Sequence, residues 1–221
     1  MKKILYLICF VVITGGCGSD RRPSWLIFGN DQLDTYKKYC LTYSKNAGTE
    51  LHFQKAVDEI KKSGNLDLIQ KAWLTRMAMH VALLKEPDYG EYNILAGVDP
   101  FPANRNYFLF LTGNIYKVDG SLLPSRYRGF LNALKKDDIA QIEKAITSMK
   151  NQPVSLLISA GISAGRDRES EVIINAAIDV SSQNGWKAAL LAWMKRKADY
   201  YESTGRTLEA SNVRRHIELI E

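Results

Sequence analysis

The sequence predicts an all-α fold of stacked antiparallel helix hairpins, interrupted by one irregular insertion rich in proline and glycine. Three observations predict it. From Asn30 onward, apolar residues recur at spacings of three and four, the period of helices buried on one face. Short turns such as Ser63-Gly64-Asn65 separate these stretches, so successive helices should return antiparallel. Four of the six prolines fall between residues 86 and 125, and there the helical period lapses.

Taken in order, Asn30 or Asp31 caps a first helix running to about Lys45, with Leu33, Tyr36, Cys40 and Tyr43 on one side. Gly48-Thr49 opens a second, marked by Phe53, Val57 and Ile60. A third runs from Leu66 to about Leu84, with the stripe Leu66, Ile69, Trp73, Met77, Val81 and Leu84. The insertion, about 86–125, then contains the apolar run Tyr107-Phe108-Leu109-Phe110-Leu111. That run is compatible with a strand, a short helix or a loop over the helical core. Helical spacing resumes at Arg126–Leu134 and continues through Asp137–Lys150, Pro153–Ala164, Glu169–Ser182, Trp186–Ser203 and Thr207 to the end. Pro153 suits a first turn because its missing N–H has no partner to lose there.

The N-terminal stretch decides where this body is expected to reside. Lys2 and Lys3 precede an apolar run, Ile4–Ile13, which is short of the roughly 20 residues a spanning helix needs. Thr14-Gly15-Gly16 and Cys17 follow. This order is that of a secretory signal, and the cysteine directly after small residues resembles the lipobox of bacterial lipoproteins. Thr14 stands where that family prefers Leu, Val or Ile. The resemblance implies cleavage before Cys17 and lipidation of that residue; an ordinary cleaved signal is the simpler reading. The expected organisation is a signal peptide at 1–16, a lipidated cysteine and short tether at 17–29, and one α-helical domain at 30–221. The polar tether, Gly18–Ser24, reaches at most about 25 Å. Trp25–Phe28 is then placed either to tuck into the body or to meet lipid. Enteric lipoproteins kept at the inner membrane carry Asp after the cysteine. Gly18 stands there instead, so the resemblance points to the outer membrane, facing the periplasm.

Loss of residues 1–16 removes Lys2 and Lys3 and lowers the formal charge from +6 to +4. That charge is dispersed, unlike the concentrated basic face of a nucleic-acid binder. Of three cysteines, Cys9 leaves with the signal and Cys17 is the lipidation candidate. Cys40 remains as a small packed hydrophobe with no disulfide partner.

Two stretches align without gaps, Ser63–Ala72 (SGNLDLIQKA) and Lys136–Ala145 (KDDIAQIEKA), each following a helix that ends in lysines. A third, Lys197–Ala210, has Ala198, Tyr201, Gly205 and Ala210 at the spacing of a tetratricopeptide repeat, which it resembles over about 35 residues. Met194 replaces that motif's early aromatic residue. A generic helical hairpin fits the same residues, with Gly205 closing its first helix at positive φ.

Candidates for chemistry are few. His52, His80 and His216 lie on three different expected helices without metal-ligand spacing, so neither a metal nor a cofactor is expected. Ser159–Gly165 (SAGISAG) is better explained by close helix packing than by phosphate binding. Glu169-Ser170 resembles the catalytic dipeptide of lytic transglycosylases, but Val172-Ile173-Ile174-Asn175 replaces the block that follows it there. The expectation is a membrane-anchored, non-catalytic scaffold or assembly accessory that binds an envelope protein or peptide. The candidate partner surface is Tyr107, Phe108 and Phe110, with Tyr127 and Arg128 beside them; burial of the run in the core is the competing reading. A helical enzyme acting on cell-wall glycan, and a carrier of small apolar ligands or lipid with a closed cavity under 100–125, are the alternatives.

Overall fold

The computed structural model describes residues 23–44 and 46–221, so the expected signal peptide and Cys17 lie outside the described residues. Among those residues the fold is all-α, with eleven α-helices, two short 3-10 turns and no strand. No described helix is long and apolar enough to cross a membrane.

Helix α1 (Ser24–Tyr43) begins six residues before the expected caps, Asn30 and Asp31, which are exposed inside it. Pro23 precedes its first residue, and the apolar quartet Trp25–Phe28, too short to show a period of its own, forms its first turn and a half. α2 (Ala47–Lys61) returns antiparallel: a Cβ on Gly29 would lie 3.0 Å from the Ile60 side chain, and Tyr36 packs on Phe53 with ring centroids 5.0 Å apart.

α3 (Leu66–Ala82) is the centre of the molecule and touches α1, α2, α5 (Pro102–Leu111) and α8 (Pro153–Ala164). The expected stripe lies on α3 from Leu66 to Val81, while Leu84 falls past the helix end with φ 56°; Gln70, Leu74 and Met79, off the stripe, are buried too. A helix covered on several sides loses its one-faced pattern. α8 is buried along nearly its whole length, and its small residues let α3 approach so closely that a Cβ on Gly161 would stand 2.1 Å from the Val81 carbonyl oxygen. Close helix packing is therefore the role of the SAGISAG stretch.

The Pro/Gly-rich insertion is ordered as α4 (Gly90–Val98), α5 and the 3-10 turns Ile115–Lys117 and Gly120–Leu122. Of the three conformations open to Tyr107–Leu111, the helix is the one realised, with Pro102 at its first turn. Three buried amides hold the segment. Gln70 donates to the Leu95 and Asp99 carbonyls, at 3.3 and 2.7 Å. Asn104 donates to the Asp67 carboxylate at 3.0 Å and to the Gln70 side-chain oxygen at 3.2 Å. Asn106 donates to the Asp119 carbonyl at 2.9 Å and accepts from the Asp119 N–H at 2.7 Å. Polar groups so deeply buried stay only because each is satisfied.

Next come α6 (Ser125–Lys136) and α7 (Ile139–Thr147), then α9 (Glu171–Gln183), α10 (Lys187–Ser203) and α11 (Thr207–Ile220). The turns of the two aligned stretches match residue for residue. Gly64 and Asp137 are both left-handed, with φ of 64° and 56°. Asn65 and Asp138 both cap the next helix, accepting from the N–H of Leu68 and Gln141. Gly205 has φ 77° between α10 and α11, while Ala198, Tyr201 and Ala210 are buried there. α10 is tied to the centre by Trp193, fully buried, whose indole N–H donates to the Ala82 carbonyl at 3.0 Å.

Candidate functional site

The ends of α3, α5 and α8 meet at an open cleft of about 720 Å³. Its floor is the Gly161–Val81 crossing with Leu111 and Ile162. One wall is aromatic: Phe108 stacks on Tyr92 at 4.8 Å, and Tyr89 meets Phe108 edge-on at 6.0 Å. Leu84, on the rim, is left-handed at φ 56°, a conformation that costs a branched side chain free energy and that tertiary contacts must hold.

Three cations line the rim, Lys85, Arg166 and Arg196. Lys85 and Arg166 stand just past the C-termini of α3 and α8, where partial negative charge favours cations, and Arg196 projects from within α10 (Lys187–Ser203). Each already serves an acceptor of the protein. Lys85 donates to the Ser44 hydroxyl at 2.6 Å. Arg166 Nη1 donates to the Gly113 carbonyl at 2.5 Å, just past the end of α5. Arg196 grips both oxygens of Glu169, at 2.7 and 2.6 Å. Arg166 Nε is enclosed by the protein and has no hydrogen-bond partner among the described residues. His80 sits behind the rim with Nδ1 3.2 Å from the Glu86 carbonyl, and burial pushes its pKa down from 6.5. The cleft is thus an apolar and aromatic trough with a polar lip. It suits a side chain or short segment with a carbonyl near Arg166.

The expected partner surface is only partly brought together. Phe110 and Tyr127 are core residues, not surface ones: they are 0% and 2% exposed, their rings lie 5.0 Å apart, and Phe130 covers Phe110. The reason is that α5 turns its Phe110 face onto α6, so an apolar run in a helix shares itself between core and cleft. Tyr107 is half-buried beside the Phe110 and Tyr127 rings, 6.0 and 6.2 Å from them, and burial pushes its phenol pKa well up. Arg128 is exposed and closes the loop before α6, donating to the Leu123 and Ser121 carbonyls at 3.1 Å each. Phe108 alone of the five lines the cleft.

The residues that sequence reasoning passed over are Arg166 and Tyr89, while Leu84, expected on the apolar stripe of the third helix, lies on the cleft rim. Arg166 lies in the short turn between α8 and α9, and nothing in a sequence announces which arginine of a turn lies beside another helix.

The other candidates have structural roles. Glu169 has both oxygens on Arg196, leaving neither to protonate a glycosidic oxygen, and Ser170 caps α9 by accepting from the Ile173 N–H. His52 bonds Gln32 at 2.8 Å, and His216 is exposed on α11. Cys40 is buried beside Tyr36, and burial raises its thiol pKa, so it is an unreactive packing residue. Among the described residues no three His, Cys, Asp or Glu side chains are grouped as a metal site would need. Compared with family models, with curated proteins and with solved structures, the chain has no match.

Proposed function

We propose that the chain is an exported lipoprotein whose helical body binds a peptide or helix of another envelope protein, without catalysis. The cleft carries this reading: an aromatic wall, an apolar floor and the cationic Arg166 on the rim suit a site that holds a side chain of a bound segment. The anchor rests on Lys2-Lys3, the apolar run, Thr14-Gly15-Gly16 and Cys17, with Gly18 favouring the outer membrane. Stacked hairpins of tetratricopeptide type are proposed for the body. They are supported by the matched left-handed and capping residues of the 63–72 and 136–145 turns, and by Gly205 with buried Ala198, Tyr201 and Ala210.

The test is co-purification from native membranes with Cys17 intact, beside a Tyr89→Ala, Arg166→Gln variant. A stoichiometric companion that the variant loses supports the reading. A companion retained equally moves the site elsewhere, and a body that travels alone ends the scaffold proposal.

A further inference from the structure

The start of α1, seven residues after Cys17 in the chain, presents apolar residues to solvent. Ile27 and Phe28 are 50% and 45% exposed in its first turn and a half. Trp25, half-buried, stands three residues before Phe28 and so shares its face. Because α2 runs antiparallel, with Ile60 beside Gly29, the end of α2 lies at the same level. There Lys61 is exposed, and Lys62, its side chain 59% exposed, is joined to Glu59 at 2.6 Å. Six residues, Gly18–Pro23, separate Cys17 from Ser24 and span at most about 20 Å. They include Arg21 and Arg22 against a single acid, Asp20.

We propose that this end of the body rests on an anionic bilayer surface, with Trp25, Ile27 and Phe28 at the headgroup–acyl boundary and Lys61 and Lys62 over lipid phosphates. The inference rests on lipidation of Cys17, which keeps the helix start within reach of lipid. The chemistry matches on both counts. Aromatic and aliphatic side chains favour the interface, and lysines beside them favour anionic headgroups within a Debye length. A short basic tether followed by an apolar helix start holds the body against the surface in one orientation, leaving less freedom than a long polar linker would.

The experiment uses the full chain, purified with its lipid and reconstituted in phosphatidylethanolamine–phosphatidylglycerol vesicles. Environment-sensitive fluorophores are placed on Ser24→Cys and, as control, on Gln183→Cys at the end of α9; buried Cys40 stays unlabelled. The label at residue 24 should shift to the blue and be quenched by acyl-chain bromines, while that at 183 is quenched only by aqueous iodide. Adding Ile27→Glu and Phe28→Glu should abolish the lipid quenching at 24, and exchanging phosphatidylglycerol for phosphatidylcholine should weaken it. A label at 24 that iodide reaches freely, on a chain whose mass shows diacylglyceryl at Cys17, overturns this inference while the anchor stands. Shielding from iodide without lipid quenching overturns it in favour of a protein cover. Absence of lipid mass on Cys17 removes the anchor and this inference with it.

Discussion

The α3–α8 crossing and the α9–α10–α11 end of the molecule are held by opposite means. The crossing is made of small and aliphatic residues: Gly161 meets the Val81 backbone of α3, and Ser159 and Ala160 beside it are fully buried. The other end is clasped by polar groups near water. Tyr201 donates to Glu171 at 2.5 Å, Arg206 reaches Glu171 at 2.6 Å and Glu209 at 3.0 Å, and the Arg206 guanidinium lies 4.1 Å from the Tyr201 ring centroid. Arg214 adds a pair with Glu202. The contrast teaches where stability resides. Close packing of backbone on backbone cannot relax when an atom is added, whereas half-exposed ion pairs are screened and replaceable.

The most severe challenge to this contrast is a single methyl group at the crossing. Gly161→Ala places Cβ against the Val81 carbonyl, a backbone atom that cannot rotate aside. The expected cost is about 3 kcal/mol. Gly129→Ala, where a Cβ meets nothing in helix α6, should instead gain roughly 0.5–1 kcal/mol. Urea unfolding midpoints of the two variants should move in opposite directions; movement together would show that the crossing is looser than its geometry. Trp193→Phe comes next. It leaves the buried Ala82 carbonyl without its donor and opens a gap, costing about 2 kcal/mol in the same assay.

Smaller again is Tyr201→Phe, which removes one hydrogen bond of the clasp for about 1 kcal/mol. Thermal unfolding in 1 M and 0.1 M salt separates the regions further: the deficit of Glu171→Gln, which removes the charge paired with Arg206, should shrink in high salt, and that of Gly161→Ala should not.

Acid distinguishes the two regions with the smallest effect. Bonds from Tyr201 and Arg206 hold the Glu171 pKa below 4.5, so its contribution is complete above 4.5 and is lost as pH falls through the folded value. His80 is kept neutral by burial. The unfolded chain therefore takes up its proton first, and stability declines as pH falls below 6.5 toward the lowered folded value. In unfolding measured against pH, His80→Gln should flatten the upper window alone and Glu171→Gln the lower alone. An exchange of these effects would show that the two groups are coupled.

Legibility in the sequence follows how local each cause is. Pro153–Ala164 carries its own start signal and has the bounds its residues suggest. The Ser63-Gly64-Asn65 and Asp137-Asp138 turns were readable because left-handed closure and side-chain capping involve near neighbours only. The start of α1 was misplaced because Trp25–Phe28 has too few residues to reveal a period. The order of the insertion was hidden because Gln70, Asn104 and Asn106 find partners as far as 37 residues away. Of the expected partner surface, Phe108 reached the cleft while Phe110, two residues on and of the same chemistry, entered the core.

By itself, then, the sequence determined the all-α class, most helix boundaries and the buried, inert character of Cys40, since these follow from period, caps and composition. Tertiary structure alone decided that α3 lies at the centre, that Gly161 admits the Val81 backbone, and that Arg166, Tyr89 and Phe108 share one cleft. Those outcomes depend on which helix crosses which, and helices α3 and α8 meet across some eighty residues of chain whose spacing carries no record of the encounter.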